Sequence, residues 1–499
     1  MKQETTDSYS HVLKYTGIFG GVQGLNIVIS LVRNKLIALL LGPQGMGLAS
    51  LFNTTVNFIS QATNLGISFS AVKHVSELYD RGDEQALLQF VHVVRAWSLL
   101  TALLGMLVCI VVGPLLSQYT FSWGDHTLHF VLLSPAVGLL AITGGETAIL
   151  KGTRQLRSLA VVQIYTILAA LVISVPLYYY FGQTGIVPVI VLMALVSMLL
   201  TIRHSFRLYP FSFNTQHLKP NTQQFSMLKL GVAFVLAGVM GSGAEMLIRS
   251  FLNVSSDLDV VGLYNAGFML TVTYAGMVFS AMETDYFPRL SSVNNDVAAT
   301  NLTVNRQIEV SLLIVSPMLA VLIIGLPVLI PLLFSPEFLP VVGMAQVSVF
   351  SMYIKAISLP VSYITLARGD SVGYMVLEAV YDVVLVVLIV VGYRCWGLFG
   401  TGVALSLSYL FDILLVGTYV YVRYHYRVSM QVLHYAAIQL SLGLAVYIVT
   451  LVDNPFIYWP LGSLLCLVSL LISVYILHQK TSLWASLTKK FKNRFRRHA

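Results

Sequence analysis

Nearly the whole chain is taken up by apolar runs long enough to cross a bilayer, and this leaves few ways for it to fold. Fourteen such segments can be drawn, at about residues 15–41, 46–70, 87–116, 127–150, 158–181, 184–206, 225–251, 260–287, 307–334, 340–367, 371–393, 397–422, 430–452 and 457–478. Each is close to the roughly 20 apolar residues that a membrane-spanning helix needs. Hydrocarbon offers no partner for a backbone N–H or C=O, so the runs are expected to be helices that satisfy their own backbone. Of the 499 residues, 57% are hydrophobic and only 10% charged, with a mean hydropathy of +0.80, whereas a soluble domain carries about 25% charged residues. The expected fold class is an all-α polytopic membrane protein with about fourteen transmembrane helices. The first segment lacks a short apolar core followed by a small-residue cleavage site, and so reads as a retained helix.

The net charge of +8 suggests nucleic acid only until its distribution is examined. With both termini placed in the cytoplasm, 23 of the 29 Lys and Arg residues fall in the tails and cytoplasmic loops, five fall within spans, and Arg394 alone falls in an outer loop. This is the asymmetry that orients membrane proteins, and the opposite orientation inverts it. The basic tail "KKFKNRFRRHA" has two readings, an anchor against anionic lipid or a partner-binding segment. Cys109, Cys395 and Cys466 are odd in number and isolated, so no disulfide framework or metal site is expected.

The chain repeats itself. "GLASLF" begins at Gly47 and "GLYNAGF" at Gly262, while "GQTGIVPV" carries Gly185 where "WGLFGTGV" carries Gly400. Within each half the two glycines lie 138 residues apart. "LKGTRQ" at Leu150 likewise resembles "LARGDS" at Leu366. Six spans followed by six in the same orientation imply two lobes related by an axis along the membrane normal. The expected organisation is an N-lobe at 1–206, a cytoplasmic inter-lobe loop at 207–224, a C-lobe at 225–424, an appended helix pair at 425–478, and a basic tail at 479–499.

A charged side chain at the bilayer centre costs at least about 2.5 kcal/mol, so it normally faces a bundle interior or a watery cavity. Arg33 lies about 12 Å below the outer end of the first helix at 1.5 Å per residue, and Lys35 points about 200° away from it around the helix. At least one of the two is expected to face a cavity, with an acidic partner or the interface left for the other. Lys355, near the middle of span 10 and close to Pro360, is either a substrate contact or half of an ion pair. Glu378 and Asp382 share one face of span 11; they are either a proton or sodium site or buried partners of Lys355. Asp412 is a third ion-coupling candidate. Arg249 reads by default as snorkelling or paired with Glu245, with a place at the mouth of a pathway as its functional alternative. Arg95 reads by default as snorkelling, with the same functional alternative, and Glu146 as a partner of Lys151. Tyr264, Tyr274, Tyr353 and Tyr363 are able to stack either on sugars or on neighbouring helices.

Signatures of catalysis are missing: there is no Walker A loop, HExxH, CxxC or GxSxG, and the short outer loop around "DLD" at Asp257 has no domain beside it. The segments "NKLIALLLGPQGMGLASLFN", "GISFSAVKHVSELYD", "ILKGTRQLRSLAVVQ", "YFPRLSS" and "EAVYDVVLVVLIVVGYRCWGLFGTGVALSLSY" resemble the polysaccharide flippases of the multidrug/oligosaccharidyl-lipid/polysaccharide (MOP) exporter superfamily, most closely the O-antigen and enterobacterial-common-antigen lipid translocases. The resemblance covers about residues 10 to 425. It implies a two-lobed transporter, not an enzyme, in the bacterial inner membrane. Such a transporter moves an undecaprenyl-diphosphate-linked oligosaccharide, such as an O-antigen, capsule or exopolysaccharide repeat unit, to the outer leaflet by alternating access.

The resemblance further implies a cationic cavity, with Arg33 at the basic position of the first helix and Lys35, Lys355 and Arg249 as further candidates for the diphosphate. No cofactor is implied beyond coupling to the membrane potential, H+ or Na+. The implied partners are the glycolipid, the bilayer and the polysaccharide polymerase machinery, with no nucleic acid. Fourteen spans depart from the usual twelve, and the role of the last pair stays open. The alternatives are a cation-coupled multidrug exporter of the same superfamily, which calls for acids in the N-lobe cavity, and a membrane-embedded polymerase or glycosyltransferase, which calls for a large acidic loop.

Overall fold

The apolar runs are helices in the computed structural model, and no strand occurs among the described residues. The structure describes the backbone of residues 2–120, 125–210 and 222–480. It describes side chains from Val28 onward, apart from those of 69, 156, 222–234, 237, 280, 281, 283–285, 288 and 480. In chain order the helices are α1 (Lys2–Thr63), α2 (Ile67–Arg81), α3 (Glu84–Thr120), α4 (Thr127–Gly152), α5 (Leu156–Phe181), α6 (Ile186–Leu208), α7 (Thr222–Ser255), α8 (Leu258–Phe268), α9 (Ala275–Ser292), α10 (Val297–Leu333), α11 (Val342–Ala367), α12 (Ser371–Tyr424), α13 (Met430–Thr450) and α14 (Pro455–Lys480). A π-helical segment, Met269–Tyr274, joins α8 to α9. Much of the expected inter-lobe loop (211–221) and the basic tail from 481 onward lie outside the described residues, as do the side chains of Lys2, Lys14, Lys229, Glu283 and Asp285.

Among the described residues ten helical stretches are long and apolar enough to cross a membrane, where fourteen separate spans were expected. Three of the ten run for 36, 52 and 54 residues, well beyond the roughly 20 of one crossing, and each is broken at a glycine. Gly42 breaks α1 at φ 62, ψ −171, Gly182 separates α5 from α6 at φ 54, ψ −131, and Gly397 breaks α12 at φ 58, ψ −142. A Cβ is not tolerated in this region of backbone space. Pro43 follows Gly42 as the first residue of the resumed helix, where its missing N–H is no loss. The first half of α7 adds nothing to the ten because its side chains lie outside the described set.

The expected second span, 46–70, ends early. A turn at Leu65 and Gly66, both with positive φ, separates α1 from α2, a short amphipathic helix that the apolar count had divided between a span and a loop. Ile67, Ala71 and Val75, one α-helical face of α2, pack with Leu87, Phe90, Val91 and Val94 of α3 and with Ala148 and Ile149 of α4. Lys73, Glu77, Asp80 and Arg81 stay exposed.

The internal repeat is written in the backbone, at an offset of 215 residues. Arg154 (φ 56) and Gly369 (φ 72) are equivalent left-handed turn residues, and Gly182 (φ 54) is equivalent to Gly397 (φ 58). The turn after α4 closes through Gln155 N–H to the Leu150 carbonyl at 2.8 Å, and the turn after α11 through Asp370 N–H to the Thr365 carbonyl at 2.9 Å. Leu150 therefore corresponds to Thr365. The match to Leu366 read from the letters is out of register by one residue, because the turn conformation and not the leucine is what repeats.

The chain divides into two units. The first comprises Met1–Ala266, Ile330–Leu339 and Glu378–Val386. In it α4 packs on α2, α3 and α6, and α1 packs on α5 and α7. Gly138, Gly145 and Gly152 lie seven apart on α4, and a Cβ on any of them would overlap Met106, Ser98 or Val75 respectively; small residues at such seams are what allow membrane helices to approach closely. The second unit comprises Gly267–Leu329, Pro340–Leu377 and Val387–Ala499. There α11 packs on the π segment and α9, and α13 pairs with α14. The α13–α14 pair is held internally by Gln439, which donates to Ser473 at 3.0 Å and accepts from Ser469 at 2.7 Å. Tyr458 ties the pair to α10 through the Ile324 carbonyl at 2.8 Å, while Asn305 of α10 grips the connection before α13 through Ser429 N–H, the Tyr426 hydroxyl and the Arg427 carbonyl.

Candidate functional site

Arg33 and Lys35, both half-buried, sit on α1 two turns before the Gly42 break, and they part company. The Lys35 ammonium donates to the Pro331 carbonyl at 2.8 Å. Because α10 ends at Leu333, that carbonyl has no acceptor role within its own helix, and a cation there also meets the negative end of the helix dipole. Lys35 is thus a helix cap, a role neither of its expected readings included. Arg33 lies on the other side of α1, near enough to Tyr178 of α5 for its charge to act on the phenol.

Arg249 is neither snorkelling nor paired with Glu245 alone. Its Nε donates to Ser50 Oγ at 2.8 Å, one terminal nitrogen to the Glu245 carboxylate at 3.3 Å and carbonyl at 3.2 Å, and the other to Asn265 Oδ1 at 3.4 Å. Ser50 itself donates to Asn265 Oδ1 at 3.0 Å. The Tyr264 ring lies beneath the guanidinium, 5.9 Å from its carbon, and is buried there with no face left for a sugar. Neither Ser50 nor Asn265 stands out by chemistry. The signal that would have found them is the repeat, since they are equivalent positions 215 residues apart.

On α12, Asp382 is 8% exposed and borders Gly241 of α7, where an added Cβ would lie 3.7 Å from its carboxylate. The charges of Glu378 and Glu245 both act on it, so three carboxylates from α7 and α12 share one region of the first unit. Among the described residues no donor bonds to Asp382. Asp412, farther along α12 in the second unit, is half-buried.

In the second unit the Lys355 ammonium lies 5.9 Å from the ring centroids of both Phe279 and Tyr409, close to the outer limit for a cation–π contact. No carboxylate forms a salt bridge with it among the described residues of that unit. Tyr353 is fully buried and donates to the Ser316 carbonyl at 3.1 Å, which makes it a packing residue. Tyr363 instead borders a small cavity with Phe279, Tyr286, Gln307 and Leu359, its ring edge-on to Tyr286 at 6.1 Å.

Arg95 and Glu146 were expected to act separately near one membrane face. They form a buried bidentate pair at 2.8 and 3.3 Å, with the two side chains 5% and 4% exposed. The same guanidinium donates to the Tyr209 carbonyl at 2.9 Å and covers the Phe206 ring at 4.3 Å. It fastens the end of α6 to α3 and α4.

Comparison with known proteins agrees with this architecture. The family model described as "Polysaccharide biosynthesis protein" matches residues 36–343. No curated protein matches the chain significantly. Among solved structures, the chain is similar to the lipid II flippase MurJ in an inward closed conformation, at 14% identity and a TM-score of 0.69, over 93% of this chain and 99% of that one. It is similar to an inward-facing multidrug-resistance MATE transporter of the MOP superfamily, at 12% identity and a TM-score of 0.68, over 79% and 94%. A MOP-superfamily transporter from Pyrococcus furiosus matches at 10% identity and a TM-score of 0.58, over 82% and 95%. These neighbours are transporters and a flippase, not enzymes. The chain is a multi-pass membrane protein with the MOP fold, and it belongs to the polysaccharide biosynthesis protein family.

Proposed function

We propose that the protein is a flippase that carries an undecaprenyl-diphosphate-linked oligosaccharide from the inner to the outer leaflet of the bacterial cytoplasmic membrane by alternating access. The observation that carries this reading is a polysaccharide-biosynthesis family match on a MOP fold in which α1, the first helix of the repeat, brings an arginine to membrane depth. The polyprenyl tail stays in lipid while the sugars and diphosphate cross a polar route. Arg33 is the proposed headgroup contact, since guanidinium offers a planar fork of donors to phosphate oxygens. Lys355, whose ammonium faces the Phe279 and Tyr409 rings, is the proposed second cation. Lys35 and Arg249 are engaged by protein acceptors and are secondary in this reading. Tyr363, at the edge of its cavity, is the aromatic proposed to meet a sugar.

The distribution of Lys and Arg supports both termini being cytoplasmic. With the inside negative, moving about two negative charges outward gains roughly 4–5 kcal/mol per 100 mV, so the potential alone is a sufficient driving force. Glu378, Asp382 and Asp412 are the groups through which H+ or Na+ coupling would add to it, and polysaccharide polymerase machinery is the proposed downstream partner. The MATE likeness favours a second reading, a cation-coupled drug exporter. Purified protein in liposomes distinguishes the two. Translocation of a fluorescent polyprenyl-diphosphate oligosaccharide is expected; failure across several glycans, together with drug-stimulated transport, would establish the exporter instead.

A further inference from the structure

The two repeats meet each other through equivalent residues. A Cβ on Gly47 would overlap the Leu258 carbonyl oxygen, and a Cβ on Gly262 would overlap the Pro43 carbonyl oxygen. Positions 47 and 262 are repeat equivalents at the offset of 215, and so are 43 and 258. The contact is therefore reciprocal, as across a two-fold axis. One step farther along, Ser50 donates to Asn265 at 3.0 Å, and each of these is the other's equivalent, as expected of residues lying on the axis itself. Arg249 then bonds to both members of that pair.

We propose that Gly47, Gly262 and the Ser50–Asn265–Arg249 network form a symmetric latch that seals this end of the protein, the outer end in the orientation given above, and that transport requires the latch to part. The proposal rests on the flippase reading for what is transported, but not for whether the latch opens. Backbone lying against backbone leaves no passage for a glycan. The joint is nevertheless separable: its closest approach is two glycines against backbone carbonyls, and its polar part is hydrogen bonds that water can replace once the halves move apart. Alternating access needs such a joint at each end in turn. Arg249 is a positioning residue here, holding the equivalent pair together.

The test uses the full-length protein with Cys109, Cys395 and Cys466 replaced by alanine and with Ser50→Cys and Asn265→Cys introduced. A short, reducible bis-thiol reagent is expected to bridge the two positions, as read by mass spectrometry, to abolish glycolipid translocation, and to restore it on reduction. Bridged protein that still translocates, or thiols that cannot be bridged, would overturn the latch. If the protein with Ser50 and Asn265 intact moves no glycolipid, the flippase reading fails, and the latch is judged by labelling alone. In Ser50→Cys cells, Arg249→Ala is expected to speed modification by a membrane-impermeant maleimide. An unchanged labelling rate, with the protein present at normal level, would overturn the latch whatever the substrate.

Discussion

Two cations two residues apart on one greasy helix are proposed to have different tasks, and the difference is measurable. Lys35 caps the Pro331 carbonyl. Lys35→Met leaves that acceptor without its partner and is expected to lower stability by about 1 kcal/mol, seen as a lower melting midpoint in detergent, while translocation persists. Arg33→Ala is expected to do the reverse: wild-type melting and membrane level, with translocation lost. Wild-type translocation by Arg33→Ala would remove Arg33 from the pathway. The sequence showed that the two side chains diverge, because 200° on a helix follows from 3.6 residues per turn. It did not show what Lys35 meets, since Pro331 lies 296 residues away and a carbonyl has no letter of its own.

Among the elements, the clearest lesson concerns how helix ends are held. The end of α6 is fastened by Arg95, whose pairing with Glu146 across 51 residues has no local signature in either helix. Removing one partner of a buried pair strands the other charge, so Arg95→Ala or Glu146→Ala alone is expected to cost about 3–5 kcal/mol, and the apolar double replacement much less than the sum. A double-mutant cycle on thermal unfolding measures this; additive losses would mean the two do not act as a pair. α2 was missed for a related reason. Its apolar face continues the preceding run in the sequence, and only the positive φ of Leu65 and Gly66 turns it out of the line of α1.

For the whole molecule, the repeat is the property with the widest consequences. It predicts where equivalent turns fall, and the shared turn geometry at Arg154 and Gly369 corrected its register by one residue. The proposed coupling to ions also belongs to this scale, because Glu378 and Asp382 on α12 share their surroundings with Glu245 on α7. Glu378→Lys is expected to change the dependence of translocation on H+ or Na+ gradients in liposomes. Translocation by the unaltered protein that is indifferent to collapse of every gradient and of the potential would sink the coupling proposal.

By itself the sequence determined that the chain is helical, crosses a membrane many times, repeats once and belongs with polysaccharide exporters. Those properties are local or additive: each apolar residue contributes its own transfer free energy, and each glycine at a helix break its own backbone freedom. Which deep charges are engaged by protein acceptors was decided only in three dimensions. Arg95 and Arg249 read as snorkelling or locally paired, and Lys35 as facing a cavity, an acidic partner or the interface, yet each has an acceptor on a helix far along the chain. Helix packing brings those partners together, and no window of sequence contains both sides of such a contact.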